Sequence, residues 1–140
     1  MFDWKIFAVG SAFFAGLTAV WAKVGVKDIP SDFATLIRTF IIFIFLSLWV
    51  SLRSEWENPF ALSRKGLIFL TLSALTAGFS WLCYFRALQT GPVSLVSSID
   101  KLGLVFAVLF SVWFLAERLS GLAWMGVFLM TLGALLIAIK

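Results

Sequence analysis

The chain has 140 residues, of which 62% are hydrophobic and 13% charged, and its mean hydropathy is +1.07. A soluble domain is nearer half apolar and a quarter charged, so a soluble fold of this length is excluded: it could not hide the apolar surface. The net charge of +4 comes from 11 basic and 7 acidic residues that never form a tract, which argues against a nucleic-acid partner.

Five apolar segments run along the chain, each near the about 20 residues needed to cross about 30 Å of hydrocarbon. The first, about 5–24, has Trp4 and Lys5 at one end and Trp21 and Lys23 at the other, side chains suited to the two interfaces. No strongly basic leader precedes it, so it reads as a retained span rather than a signal peptide. Lys27-Asp28-Ile29-Pro30-Ser31-Asp32 makes a turn in which Ser31 or Asp32 can cap the next helix.

The second segment, about 33–52, leads into the longest polar connection, from Arg53 to Lys65. Asn58-Pro59 is its turn signal, and Trp56 and Phe60 suit the headgroup level. The third, about 66–88, joins the fourth, about 92–116, through Gln89-Thr90-Gly91-Pro92, with Pro92 suited to a first helical turn. Glu117-Arg118-Leu119-Ser120 turns the chain into the fifth, about 121–139, with Ser120 as N-cap. Lys140 follows. The expected fold is all-α: a polytopic membrane domain spanning 1–140, with no room for a soluble one.

Five spans put the two ends on opposite sides of the bilayer. One side carries Lys5, Arg53, Arg64, Lys65 and Arg118; the other carries Lys23, Lys27, Arg86 and Lys140, with Arg38 near it. Five against four or five leaves the positive-inside rule little to act on. Either a few dominant residues fix one topology, or copies insert both ways and pair antiparallel. The second option fits the inverted-repeat plan of many secondary transporters, a homodimer supplying the second repeat.

Charges inside the spans are the strongest functional signal. Asp100 lies eight residues beyond Pro92, roughly 12 Å deep at about 1.5 Å per residue. Asp100 and Lys101 each cost about 2.5–3.5 kcal/mol at mid-bilayer on insertion scales. Ser94, Ser97 and Ser98 precede them at helical spacing and form one polar stripe with them. The pair is either a solute or proton site or a structural pairing that fixes helix packing. Arg38, about five residues into the second segment, either snorkels or points inward, where it could pair with Asp100 or hold a carboxylate or phosphate bidentately. Lys23 and Arg86, near helix ends, read as snorkelling.

Trp81 and Tyr84 share a helix face and either wall a cavity for a flat or amphipathic solute or sit as interfacial aromatics. Small residues four apart (Ala12 and Gly16, Ala15 and Ala19, Ala74 and Gly78, Gly103 and Ala107, Ala134 and Ala138) read as close helix approaches. Gly126, Gly133 and Ala134 mark the last helix as the dimer contact. Without His, and with Cys83 alone inside an apolar segment, no metal, cofactor or enzymatic set is expected.

Several stretches resemble the EamA domain of the drug/metabolite transporter superfamily. They are Gly16-Leu17-Thr18-Ala19-Val20-Trp21-Ala22-Lys23, Ile37-Arg38-Thr39, Tyr84-Phe85-Arg86-Ala87-Leu88-Gln89-Thr90-Gly91-Pro92, Phe114-Leu115-Ala116-Glu117-Arg118-Leu119-Ser120, and Gly126 with Gly133-Ala134-Leu135-Leu136. The stretches 84–92 and 114–120 are similar to the family's "YF-x-AL-x-x-GP" and "FLGERLS" junctions. The likeness covers nearly the whole chain, in a single-domain, half-size form.

The resemblance implies export or exchange of small organic solutes by alternating access, from a ten-helix assembly that an antiparallel homodimer would complete. It departs in the fourth helix, where Gly103-Leu104 stand at about the place of a Glu-Pro pair common in full-length relatives. The first helix also lacks the buried acid of the small multidrug relatives. The expectation is therefore a metabolite transporter of a bacterial or archaeal plasma membrane, without cofactor. Asp100 and Lys101 would be its centre, supported by Ser97, Ser98 and Arg38. Rival expectations are a flippase for lipid or lipid-linked sugar and a non-transporting membrane partner subunit.

Overall fold

The structure, a computed structural model, describes residues 3–58 and 61–139. The expected turn at Pro59, the headgroup position of Phe60 and the terminal Lys140 lie outside the described residues. The fold is all-helical: α1 Trp4–Gly25, α2 Ser31–Arg53, α3 Arg64–Thr90, α4 Val93–Asp100, α5 Gly103–Phe114 and α6 Gly121–Ala138. They supply five candidate spans of 22, 23, 27, 22 and 18 residues, α4 and α5 together making the fourth, Val93–Phe114. The protein is a multi-pass membrane protein.

In hydrocarbon, every polar group has to be satisfied within the protein. Hydroxyls within the helices do this by donating to the carbonyl one turn back: Thr35 to Ser31, Thr39 to Thr35, and Thr71 to Leu67, each at 2.8 Å. The helix ends are closed by side chains and left-handed residues. Ser63 Oγ accepts from the Gly66 amide at 3.0 Å and Ser120 Oγ from that of Ala123 at 3.2 Å, capping α3 and α6. Ser54 leaves α2 at φ 54°, with the Glu55 amide bonded back to the Val50 carbonyl at 3.1 Å.

Two cap expectations are corrected. Pro30, which has no side-chain donor or acceptor to offer, occupies the position before α2, and Ser31 and Asp32 lie inside the helix. Pro92 likewise precedes α4, in extended conformation, rather than entering its first turn.

The expected single helix over 92–116 is also corrected. Between α4 and α5 the ladder tightens into a 3₁₀ turn: the Leu102 amide bonds to Ile99 at 2.9 Å, Leu104 to Lys101 at 3.0 Å and Val105 to Leu102 at 2.9 Å. The ψ angles of Lys101 and Leu102, −16° and −19°, are too shallow for α-helix. Ser98 bonds back to the Ser94 carbonyl at 2.7 Å just before the break, a contact that bends helices, and Gly103 follows it. Asp100 is therefore the last residue of α4 rather than a mid-helix position.

The chain divides into two compact units. One combines the chain up to Trp21 with that from Thr90 onward; in it both α4 and α5 pack on α6. The other is Ala22–Gln89. Buried apolar side chains are Val26, Phe85 and Leu88 in the second unit and Ala19 and Ala134 in the first. Most other large apolar side chains are exposed, Leu52 at 84% and Trp113 at 77%, as a lipid-facing surface requires. The expected close approaches at small residues are not made at three of the positions: a methyl group added at Gly16, Gly78 or Gly103 would meet nothing within 4 Å.

Candidate functional site

Three sets of polar side chains lie on these helices. The first is a clamp at one end of the Ala22–Gln89 unit. The last carbonyls of α3 have no helical partners, and Lys23 Nζ donates to those of Leu88 at 2.6 Å and Gln89 at 3.4 Å. Gln89 Nε2 in turn donates to the Val26 and Ile29 carbonyls at 3.3 and 3.1 Å, closing the turn between α1 and α2. Arg86 Nε and Nη2 donate to Asp32 Oδ1 and Oδ2 at 3.0 and 2.6 Å, a bidentate pair joining the last turns of α3 to the first of α2.

Lys23 and Arg86 therefore do not simply snorkel; each has a partner far along the chain. Asp32 reads from the sequence as a possible cap and Gln89 as part of a turn; their pairing is not visible there, because local spacing carries no sign of a partner more than 50 residues away. The available signal was three polar side chains, Asp32, Arg86 and Gln89, at adjoining helix ends.

The second set lies further along the same two helices. The Arg38 guanidinium is 4.8 Å from the centre of the Trp81 ring and 5.4 Å from that of Phe85. Trp81 also lines a groove of about 540 Å³ between α2 and α3. From α2 the groove takes Asp32, Thr35, Leu36 and Thr39; from α3 it takes Ala74, Ala77, Gly78 and Leu82 with Trp81. Tyr84 does not line it, and its ring meets Phe85 edge-on at 6.4 Å. Of the two aromatics expected either to wall a cavity or to sit at the interface, Trp81 lines this groove and Tyr84 does not.

The third set is at the α4–α5 break. Lys101 Nζ lies 3.8 Å from Asp100 Oδ2, and both side chains are about half exposed. Ser97 and Ser98 are half-buried on the preceding turn, and their carbonyls share the Lys101 amide at 3.3 and 3.2 Å. Arg38 and Asp100 belong to different units. Of the residues expected at a dimer contact, Ala134 is buried within its own chain. Gly126 and Gly133 have open space beside them. Among the described residues no group of acids and Cys has the arrangement of a metal site.

Comparison with known proteins bears on what such a molecule does. No solved structure matches the chain. A Sinorhizobium sp. protein named "Uncharacterized transporter in cobO 3'region" is 46% identical over 137 residues, which cover 98% of this chain and 97% of that protein. Residues 3–139 match the EamA-like transporter family, so that the five spans, the clamp motif at 84–92 and the α6 junction together make this chain a single-domain member of the EamA-like transporter family.

Proposed function

We propose that the chain is one half of an antiparallel ten-helix homodimer that exports or exchanges small organic metabolites by alternating access across a bacterial or archaeal plasma membrane. The observation that carries this reading is the charged break in the fourth span. A 3₁₀ turn inside a helix is a natural hinge. Here it sits beside an acid and a base that pair with each other, inside the fourth candidate span, where charge is costly. Asp100 and Lys101 can exchange that weak contact for a solute or a proton, and the shortened hydrogen-bond ladder lets α4 and α5 change their angle as they do so.

The small residues Gly126 and Gly133 on α6 support that helix as the face that meets the second copy. The near balance of basic residues supports insertion of that copy in the opposite sense.

Reconstituted vesicles with a pH-sensitive dye inside test this, using a panel of amino acids, organic acids and amines. Solute-dependent proton movement that disappears in Asp100→Asn and Lys101→Met supports the reading. Movement unaffected by both substitutions refutes it.

A further inference from the structure

We propose that Arg38, Trp81 and the groove between α2 and α3 form a binding site for a flat, amphipathic carboxylate. The inference rests on the transport reading only in naming a class of solute for it; binding itself requires no transport.

The argument starts from the guanidinium. Arg38 is seven residues past Ser31, the start of α2, roughly 10 Å along the helix at about 1.5 Å per residue. Its contacts are ring faces, Trp81 at 4.8 Å and Phe85 at 5.4 Å. Among the described residues no carboxylate or carbonyl accepts from it. These cation–π contacts leave the guanidinium's N–H fork without acceptors, and that fork matches a carboxylate in two parallel hydrogen bonds. A half-buried cation flanked by two rings is suited to an anion.

The groove supplies the rest of the ligand's outline. Its volume of about 540 Å³ suits a small organic molecule. Its lining is apolar in effect, because the polar side chains in it are already engaged. Thr35 and Thr39 donate to their own helix at 2.8 Å. Asp32 accepts from Arg86 through both oxygens and from Ser31 Oγ at 3.2 Å. The acid that would otherwise attract an organic amine is thus neutralised within the chain, and the cation that attracts an anion is not. Trp81 belongs to both parts, since it carries the guanidinium and lines the groove. Arg38 itself is not among the residues that line the groove, so the ligand's aromatic body would lie in the groove and its carboxylate across the Trp81 edge, on the guanidinium. Gly78 leaves space that a side chain would fill, and a methyl there meets nothing within 4 Å, so a larger residue can occupy the groove without disturbing the fold around its Cβ.

Equilibrium binding of labelled indole-3-acetate to the purified full chain in maltoside micelles, which carry no phosphate, tests the site. Indole-3-acetamide and tryptamine, with the same ring but neutral and positive, serve as competitors. The expected result is saturable indole-3-acetate binding, with both competitors weaker by at least about tenfold. Arg38→Gln should weaken binding at least about tenfold, with Arg38→Lys between it and the parent. Gly78→Leu, which leaves Arg38 in place, should also weaken it at least about tenfold.

Absence of saturable binding, tryptamine binding as tightly as the acid, or affinity unchanged in Arg38→Gln or Gly78→Leu would each overturn the proposal. So would displacement by phosphatidylglycerol at lower concentration than by unlabelled indole-3-acetate, which would assign the guanidinium to a lipid phosphate. Arg38-dependent binding without flux in vesicles would leave this site standing and remove the transport reading; flux without such binding would do the reverse.

Discussion

The clamp at the end of the Ala22–Gln89 unit and the break at Asp100–Lys101 are both built from charged side chains, and they differ in where their partners lie. Lys23, Asp32, Arg86 and Gln89 reach partners 54 to 66 residues away, through contacts of 2.6–3.4 Å. Asp100 and Lys101 are neighbours in sequence, 3.8 Å apart across a turn that is no longer α-helical. A charge matched to a distant partner ties helices together and resists rearrangement. A charge matched only to its neighbour ties nothing and is available to a ligand. The difference teaches that charge inside a membrane domain is not by itself a sign of a site; the sequence separation of its partner is the better guide.

Substitutions that attack the clamp should therefore cost stability, and those at the break should not. The largest effect is expected from Leu88→Ala. Leu88 is fully buried beside the carbonyls that Lys23 holds, and a cavity there should cost about 2–5 kcal/mol, read as a lowered midpoint of chemical unfolding in micelles. Lys23→Met comes next. It keeps the aliphatic stem but leaves the Leu88 and Gln89 carbonyls without their charged donor, at about 1.5–3 kcal/mol by the same measurement.

A smaller effect of opposite sign is expected at the exit from α5. Ala116 stands at φ 53°, where a Cβ is strained, so Ala116→Gly should stabilise by up to about 1 kcal/mol. The smallest is expected from Asp100→Asn, at less than about 0.5 kcal/mol, since its ion pair is with the adjacent Lys101. A destabilisation at Asp100 comparable to that at Lys23 would erase the distinction between the two regions.

Much of this organisation was legible in the sequence, and the parts that were not share a physical cause. Five apolar stretches with interfacial aromatics and turn residues located five spans to within about two residues at most ends, because hydropathy and capping are local properties. Ser120 was recognisable as a cap for the same reason. Pro30 and Ser31 were not, since a serine one residue inside a helix looks the same on paper as one just outside. The break in the fourth span left only faint traces, Ser98 and Gly103. It arises from a back-bond and two shallow ψ angles that no residue type dictates.

The clamp was invisible because its contacts join residues more than 50 apart. The motif at 84–92 was noticed as a family likeness, and the structure gives it a mechanical meaning. Phe85 and Leu88 fill the core, Arg86 ties α2, and Gln89 closes the first turn. Trp81 and Arg38 were each singled out, but only the fold places one against the other.

Solute flux and thermal stability measured side by side on Asp100→Asn test the central claim most directly, namely that the charges at the break serve transport and not the fold. The account predicts that flux into reconstituted vesicles falls at least about tenfold, about 1.4 kcal/mol in barrier terms, while the unfolding midpoint stays where it was. Flux that persists unchanged, or a midpoint that falls as far as it does in Lys23→Met, would contradict it.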